Sequence, residues 1–381
     1  MGKQVKTPRF YVDIPTFLHA TGQLKWDTYR GGAKLLYMNP SNPYIREDLS
    51  ETMFAIGSAS VNNPKTSFPI NFCALLNHNL ANDSNNCRIV GKYTNSSHGL
   101  CNNNLGFTEI INANHYEDGD NDFIDPTYNG TSIWSLNELD RRWTSFEIFF
   151  SEGFNETLNH QLGSFVVGKY WDAPNSPDLN LTMSRSFDGI RKQKTIGGKT
   201  LANIYYDGPT EWTMNNSDGD TYKYPVFELD IPWDSDDEIS FNKKAKSGLG
   251  RKCLRSWNLT FSYISEDNMW TDYETSNTSP FDDTGYNSET GGDATIDPAT
   301  RKNPMLSDES FNFVWNCTLG GTLPFIFQPN ADQYDASGNL TQAGNNNPDQ
   351  FSICTFRQNT LSVKQVAYNT YTLSITIDEV A

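Results

Sequence analysis

The chain has 381 residues, 46 acidic against 29 basic side chains, and a formal net charge of −17. Such a balance argues against a general basic face for DNA or RNA, and it favours solubility over non-specific association. Hydrophobic residues are only 36% of the chain while aromatics reach 13%, which points to half-buried sheet faces rather than Leu- and Ala-rich helices.

In chain order, the first apolar run is Phe10-Tyr11-Val12-Asp13-Ile14, an entry strand within residues 8–47. Ile70 to Leu80 begins as a buried strand, and Asn77-His78-Asn79 is read as the turn that ends it. Cys87 to Tyr93 is a partner strand, and the Asn- and Asp-rich residues 102–132 read as a long loop. Ser135 to Arg142 reads as a short helix, with Ser135 as N-cap and Glu138 as its box partner. Trp143 to Phe150 alternates as a strand.

A second unit begins near Leu162 with the strand Gly163 to Tyr170. Leu179 to Ser184 follows the turn 172–177, and Phe187-Asp188-Gly189-Ile190 signals a hairpin that leads to Gly197-Gly198-Lys199-Thr200-Leu201. Arg255 to Ile264 is the clearest alternating strand, with Trp257, Leu259, Phe261 and Tyr263 assigned to one face. Residues 265–310 are polar and form a long surface excursion, and 330–347 a smaller one. The runs 318–329, 347–356 and 371–380 are strand-like, so the last residues are expected to lie within a sheet. The expected fold class is all-β, with two β-sandwich or jelly-roll-like domains, 1–160 and 161–381, and long surface loops.

Six cysteines, at 73, 87, 101, 253, 317 and 354, show no CxxC pair and no zinc spacing. A disulfide within 73–101 is conceivable, but reduced, buried thiols are the expectation. The first ten residues contain no apolar leader segment, and no apolar run is long enough to span a bilayer. Folding in a cytoplasm and no membrane span are therefore expected.

Asn77, His78 and Asn79 are candidate ligand-binding residues at a sandwich edge; the plainer alternative is a polar turn that satisfies backbone groups. Trp212 lies in a polar segment and could stack on a sugar face. Asp118, Asp120 and Asp122 place carboxylates at alternate positions, as calcium prefers. Phe123 stands where a calcium loop needs glycine, and the distal glutamate is missing. A solvated acidic loop is the plainer account. No GxSxG, P-loop, HExxH or strand-linked GxGxxG occurs, so no catalytic residue and no cofactor is assigned and the expectation is a non-enzyme.

The Leu76-Asn77-His78-Asn79-Leu80 run after an apolar strand resembles jelly-roll, galactose-binding-like modules of phage structural proteins. Gly163 to Tyr170, Pro177-Asp178-Leu179, Gly197 to Leu201 and the block from Leu323 to Val380 resemble structural proteins of tailed bacteriophages. This resemblance implies a virion protein of the tail or tail tip, distal-tail or adaptor-like, assembled in the host cytoplasm. It implies a ring-like homo-oligomer as partner, together with other tail proteins. A carbohydrate-binding module that recognises a host-surface glycan, and a tail-fibre or capsid-surface role, are the alternatives. No nucleic-acid partner is implied.

Overall fold

The structure is a computed structural model, described for residues 5–21, 35–40, 44–46, 52–57, 68–78, 87–95, 99–104, 107–111, 114–118, 121–125, 130–136, 142–143, 145–150, 160–186, 191–203, 253–270, 310–332 and 350–380. From the N-terminal side the strands are β1 (Arg9–Asp13), β2 (Tyr44–Arg46), β3 (Thr52–Gly57), β4 (Phe68–Pro69), β5 (Phe72–His78), β6 (Cys87–Asn95) and β7 (Gly99–Asn104). They continue as β8 (Phe107–Ile111), β9 (Asn114–Asp118), β10 (Asn121–Asp125), β11 (Gly130–Leu136), β12 (Arg142–Trp143), β13 (Ser145–Phe150) and β14 (His160–Asp172). The rest are β15 (Thr182–Ser186), β16 (Arg191–Lys194), β17 (Thr200–Asn203), β18 (Leu254–Ser265), β19 (Phe325–Gln328), β20 (Ser352–Phe356), β21 (Val363–Ala367) and β22 (Thr370–Glu379). The described helices are short: Ile14–Ala20, Glu266–Met269 and Phe311–Cys317. The protein is all-β.

A 12-stranded antiparallel sheet runs β15-β18-β22-β20-β19-β1-β14-β5-β11-β8, with β2 added to β14 and β21 to β22. A six-stranded sheet runs β3-β13-β6-β10-β9 with β7 on β6. The larger sheet takes strands from both sides of residue 160, where β14 begins. β1 sits at its middle, paired to β14 through Arg9↔Asp172 to Asp13↔Gly168 and to β19 through Arg9↔Gln328 to Tyr11↔Ile326.

The central strands are buried on both faces, which is why their sequences are continuous apolar runs. Phe10, Val12, Cys73, Leu75, Phe165, Val167, Phe325 and Phe327 belong to one buried cluster. Their sequence neighbours Tyr11, Phe72, Ala74, Val166 and Ile326 belong to the other. Phe10 is the hub of the first, with ring centroids of Trp171, Phe311, Phe325 and Phe327 between 5.1 and 5.9 Å away. Each such tilted or edge-on pair adds about 0.5–1.5 kcal/mol beyond the burial of its area. Towards the β15 end the sheet has one buried face. β18 alternates there, with Trp257, Leu259 and Phe261 inward, and β22 answers with Leu373, Ile375 and Ile377.

Three sequence expectations change, and one helix lies where the sequence was given no reading. Ser135 lies in β11, where it pairs with Phe72 and Thr108, so no helix starts there; paired strands on both sides outweigh a local capping pattern. Residues 102–132 hold strands from β7 to β11 rather than one long loop, because short connections let polar strands pair. Phe311–Cys317 is helical, with Phe311, Phe313, Val314 and Cys317 buried. Tyr263 does not share the face of Phe261: a β-bulge lies between Phe261 and Ile264, Tyr263 takes φ +64°, and Ile264 becomes the buried residue. One extra residue in a strand resets the two-residue alternation beyond it.

The expected C-terminal strand is present as β22, paired with β18 along one edge and with β21 and then β20 along the other. Cys73, Cys253, Cys317 and Cys354 are buried thiols outside any disulfide, as expected. Burial pushes the Cys73 and Cys317 thiols well above the ordinary range, with the nearby Lys169 opposing this at Cys317. Among the described residues no helix is long and apolar enough to cross a membrane.

Candidate interaction surface

Asn77 and His78 lie inside β5, not in an exposed turn. His78 is opposite Gly130 on β11 and Leu162 on β14, and both side chains are buried. The His78 Nε2 is 2.8 Å from Ser132 Oγ. Burial pushes its pKa from 6.5 down to about 3, so the ring is neutral and joins two strands through a hydroxyl. Asn77 takes φ +51°, a conformation that Asn tolerates better than most residues, and its Nδ2 donates to Pro40 O at 2.6 Å. Asn79, Trp212 and Asp120 lie outside the described residues. Asp118 and Asp122 sit on the neighbouring strands β9 and β10, where Asp118 pairs with Asn121 and Asp122 with Glu117. Among the described residues no three potential metal ligands cluster.

Three buried polar centres tie the large sheet together. Arg9 Nε and Nη2 donate to Asp172 at 2.5 and 2.8 Å, and the guanidinium lies 4.0 Å from the Tyr170 ring centroid. Asp13 closes β1 and accepts from the Thr16 hydroxyl. Burial pushes its pKa from 3.8 up to about 7, against the pull of hydrogen bonds from the Thr16 side chain and from the Thr16 and Val167 backbone. Arg255 and Glu379 form an ion pair between β18 and β22: Nη2 to Oε1 is 3.1 Å, Nε to Oε2 is 3.2 Å, and the Arg255 backbone N–H donates to Oε2 at 2.9 Å. Arg255 Nη2 also donates to Phe351 O at 2.9 Å. Arg9, Asp13, Arg255 and Glu379 are buried while Asp172 lies at the surface, and the chemistry of all five is cross-strand fastening.

Four exposed apolar side chains lie towards one end of the sheet, where β18 finishes and β22 starts. The bulge in β18 turns Tyr263 out to 79% exposure. A second bulge, in β21 between Gln365 and Ala367, leaves Val366 at 45% exposure. Tyr368, in the β21–β22 turn beside Asn369 (φ +52°), is 89% exposed. The loop before β15 is fastened to this end of β18: Asp178 N donates to Thr260 O at 2.8 Å and Ser262 Oγ to Asp178 Oδ2 at 2.7 Å. The next residue, Leu179, stands fully in solvent at 102%. Bulges commonly serve to re-aim a side chain, and here two of them release apolar side chains from the β18–β22–β21 layer.

None of these four residues stood out as a site in the sequence. Tyr263 fits a perfect alternation, so only pairing to β22 exposes the extra residue. The Tyr368-Asn369-Thr370 turn was the one readable local signal. Compared with protein-family models, with curated proteins and with solved structures, the chain matches none.

Proposed function

We propose that the chain is a virion structural protein of a tailed bacteriophage, a component of the tail or tail tip that acts by self-assembly and by docking to neighbouring tail proteins. The observation that carries this reading is the end of the large sheet, where Leu179, Tyr263, Val366 and Tyr368 stand in solvent. Clustered apolar side chains on a soluble subunit mark a contact surface. Aromatic side chains are enriched in the cores of such contacts. The resemblance of the strand-and-turn runs to phage structural proteins supplies the setting. A ring-like homo-oligomer, the two sandwich units 1–160 and 161–381, a jelly-roll form for the first, and an assembly role for the second belong to the same proposal.

Size-exclusion chromatography with light scattering tests it, together with mass spectrometry of purified particles. An oligomer that weakens in the Tyr263→Ser/Tyr368→Ser double variant, from a chain found in the particle, is the expected result. A monomer at every concentration that is absent from particles refutes it.

A second reading has one observation in its favour: two exposed tyrosines at one end of the sheet can stack on a pyranose face. A host-surface glycan is then the ligand. A glycan array with the same double variant separates the readings, because sugar binding by a monomer favours the module and assembly without sugar binding favours the virion component.

A further inference from the structure

Among the described residues, the hairpin β16–β17 is basic, exposed and paired only with itself. Residues 191–203 contain Arg191, Lys192, Lys194 and Lys199 and no acidic side chain, within a chain of net charge −17. Its strands pair with each other as a separate two-stranded sheet, in the register Arg191↔Asn203 to Lys194↔Thr200. Every position from 192 to 201 is exposed.

The turn is built to hold an apolar tip outward. Thr195 N donates to Lys199 O at 2.9 Å and Gly198 N to Thr195 O at 2.9 Å. The Thr195 hydroxyl closes the turn further, donating to Lys199 O and accepting from Lys199 N, both at 3.1 Å. Gly198 takes φ +81°. This is a three-residue loop ending in a left-handed glycine, a turn whose twist suits a hairpin. Ile196 occupies its apex and is 110% exposed. Turn apices favour Gly, Pro, Asn, Asp and Ser, so a β-branched apolar residue there is costly for an isolated subunit and useful for one that docks. Strand alternation sets Lys192 and Lys194 on one face of the hairpin and Leu201 on the other.

We propose that this hairpin is an arm that docks on the acidic surface of a second copy of this chain, with Ile196 entering an apolar recess and Lys192, Lys194 and Lys199 facing carboxylates. The charge balance selects this occupant. Two copies at −17 repel each other at long range, and an arm of opposite sign both offsets that repulsion and fixes the docking direction. The inference rests on the self-assembly reading above and specifies how it is achieved.

The test compares the full chain with Ile196→Asp and with the triple variant Lys192→Glu/Lys194→Glu/Lys199→Glu by sedimentation equilibrium, at low and high salt. Circular dichroism checks folding, which is expected to be retained because the exposed hairpin contributes nothing to either buried cluster. The expected result is self-association of the wild type that weakens with salt, and a dissociation constant raised about tenfold or more in each variant. A wild-type monomer at all concentrations overturns both this inference and the self-assembly reading. A wild type that assembles, with variants that assemble equally well, overturns the arm alone. Binding of a single-stranded DNA oligonucleotide by the wild type, lost in the triple variant while self-association is unchanged, overturns it in favour of a nucleic-acid occupant.

Discussion

Replacing Glu379 with alanine tests whether the buried polar centres hold the sheet as described. Glu379 accepts the Arg255 backbone N–H and two guanidinium N–H groups, at 2.9, 3.2 and 3.1 Å. Its side chain is 1% exposed and that of Arg255 is 8% exposed. In Glu379→Ala the guanidinium keeps its bond to Phe351 O and its seat over Trp257, 5.0 Å from the ring centroid, but it loses the Glu379 carboxylate. Three charge-assisted bonds at about 1.5 kcal/mol each put the loss at about 3–5 kcal/mol. Urea denaturation followed by circular dichroism reads this as a lowered midpoint at unchanged slope. The double variant Arg255→Met/Glu379→Leu is expected to recover most of the loss, since a buried pair replaced by apolar groups is close to neutral. A loss under about 1 kcal/mol for Glu379→Ala, the range of an exposed pair, would refute the claim that this pair is desolvated.

His78 and Asp13 predict opposite slopes of stability with pH. His78 is held neutral down to about 3, so the unfolded chain binds the extra proton first. Its contribution is complete above 6.5 and is lost as the pH falls towards 3. In His78→Gln the acid-side loss of thermal stability is expected to shrink. Asp13 keeps its proton up to about 7 against 3.8 unfolded, so its contribution is present below pH 4 and disappears as the pH rises through 7. Asp13→Asn is expected to flatten that part of the profile; an unchanged profile would mean the carboxyl reaches solvent. Gly168 faces Asp13 across β1–β14, and an added Cβ would lie 1.9 Å from the Val12 carbonyl oxygen. Gly168→Ala therefore forces β1 off β14, a loss of about 3 kcal/mol or more, seen as aggregation or a sharply lower melting temperature. Cys73, Cys317 and Cys354 are expected to resist thiol reagents until denaturant is added, as peptide mapping after labelling would report.

The parts of this fold legible in the sequence are those where one strand's own pattern suffices. The alternation Trp257, Leu259, Phe261 and the continuous run Phe72 to Leu76 identify one-sided and two-sided burial directly. What depends on a partner strand is hidden. Nothing local says that β18 carries one residue more than β22 opposite Tyr263, or that Asn77 and His78 continue a strand because β11 and β14 flank them. The helix Phe311–Cys317 is two turns long, too short for its apolar residues to distinguish period 3.6 from period 2. Of the candidate surface, the hairpin signal read at Phe187 to Ile190 lies outside the described residues, and the turn at Thr195 to Lys199 was not read as one. Its exposure, and the release of Tyr263 and Val366 by bulges, were not legible either.

The central place of β1 has a consequence for biogenesis. The neighbours on its two sides, β14 and β19, are synthesised roughly 150 and 310 residues after it. Two of the longest-range closures in the chain must therefore occur before the wide sheet becomes continuous, and such topologies assemble slowly. Until residue 328 has emerged, Phe10, Tyr11 and Val12 present sticky, unsatisfied backbone and aromatic surface to the surrounding medium. Removal of residues 1–13 would leave β14 and β19 as two raw seams where one continuous fabric had been.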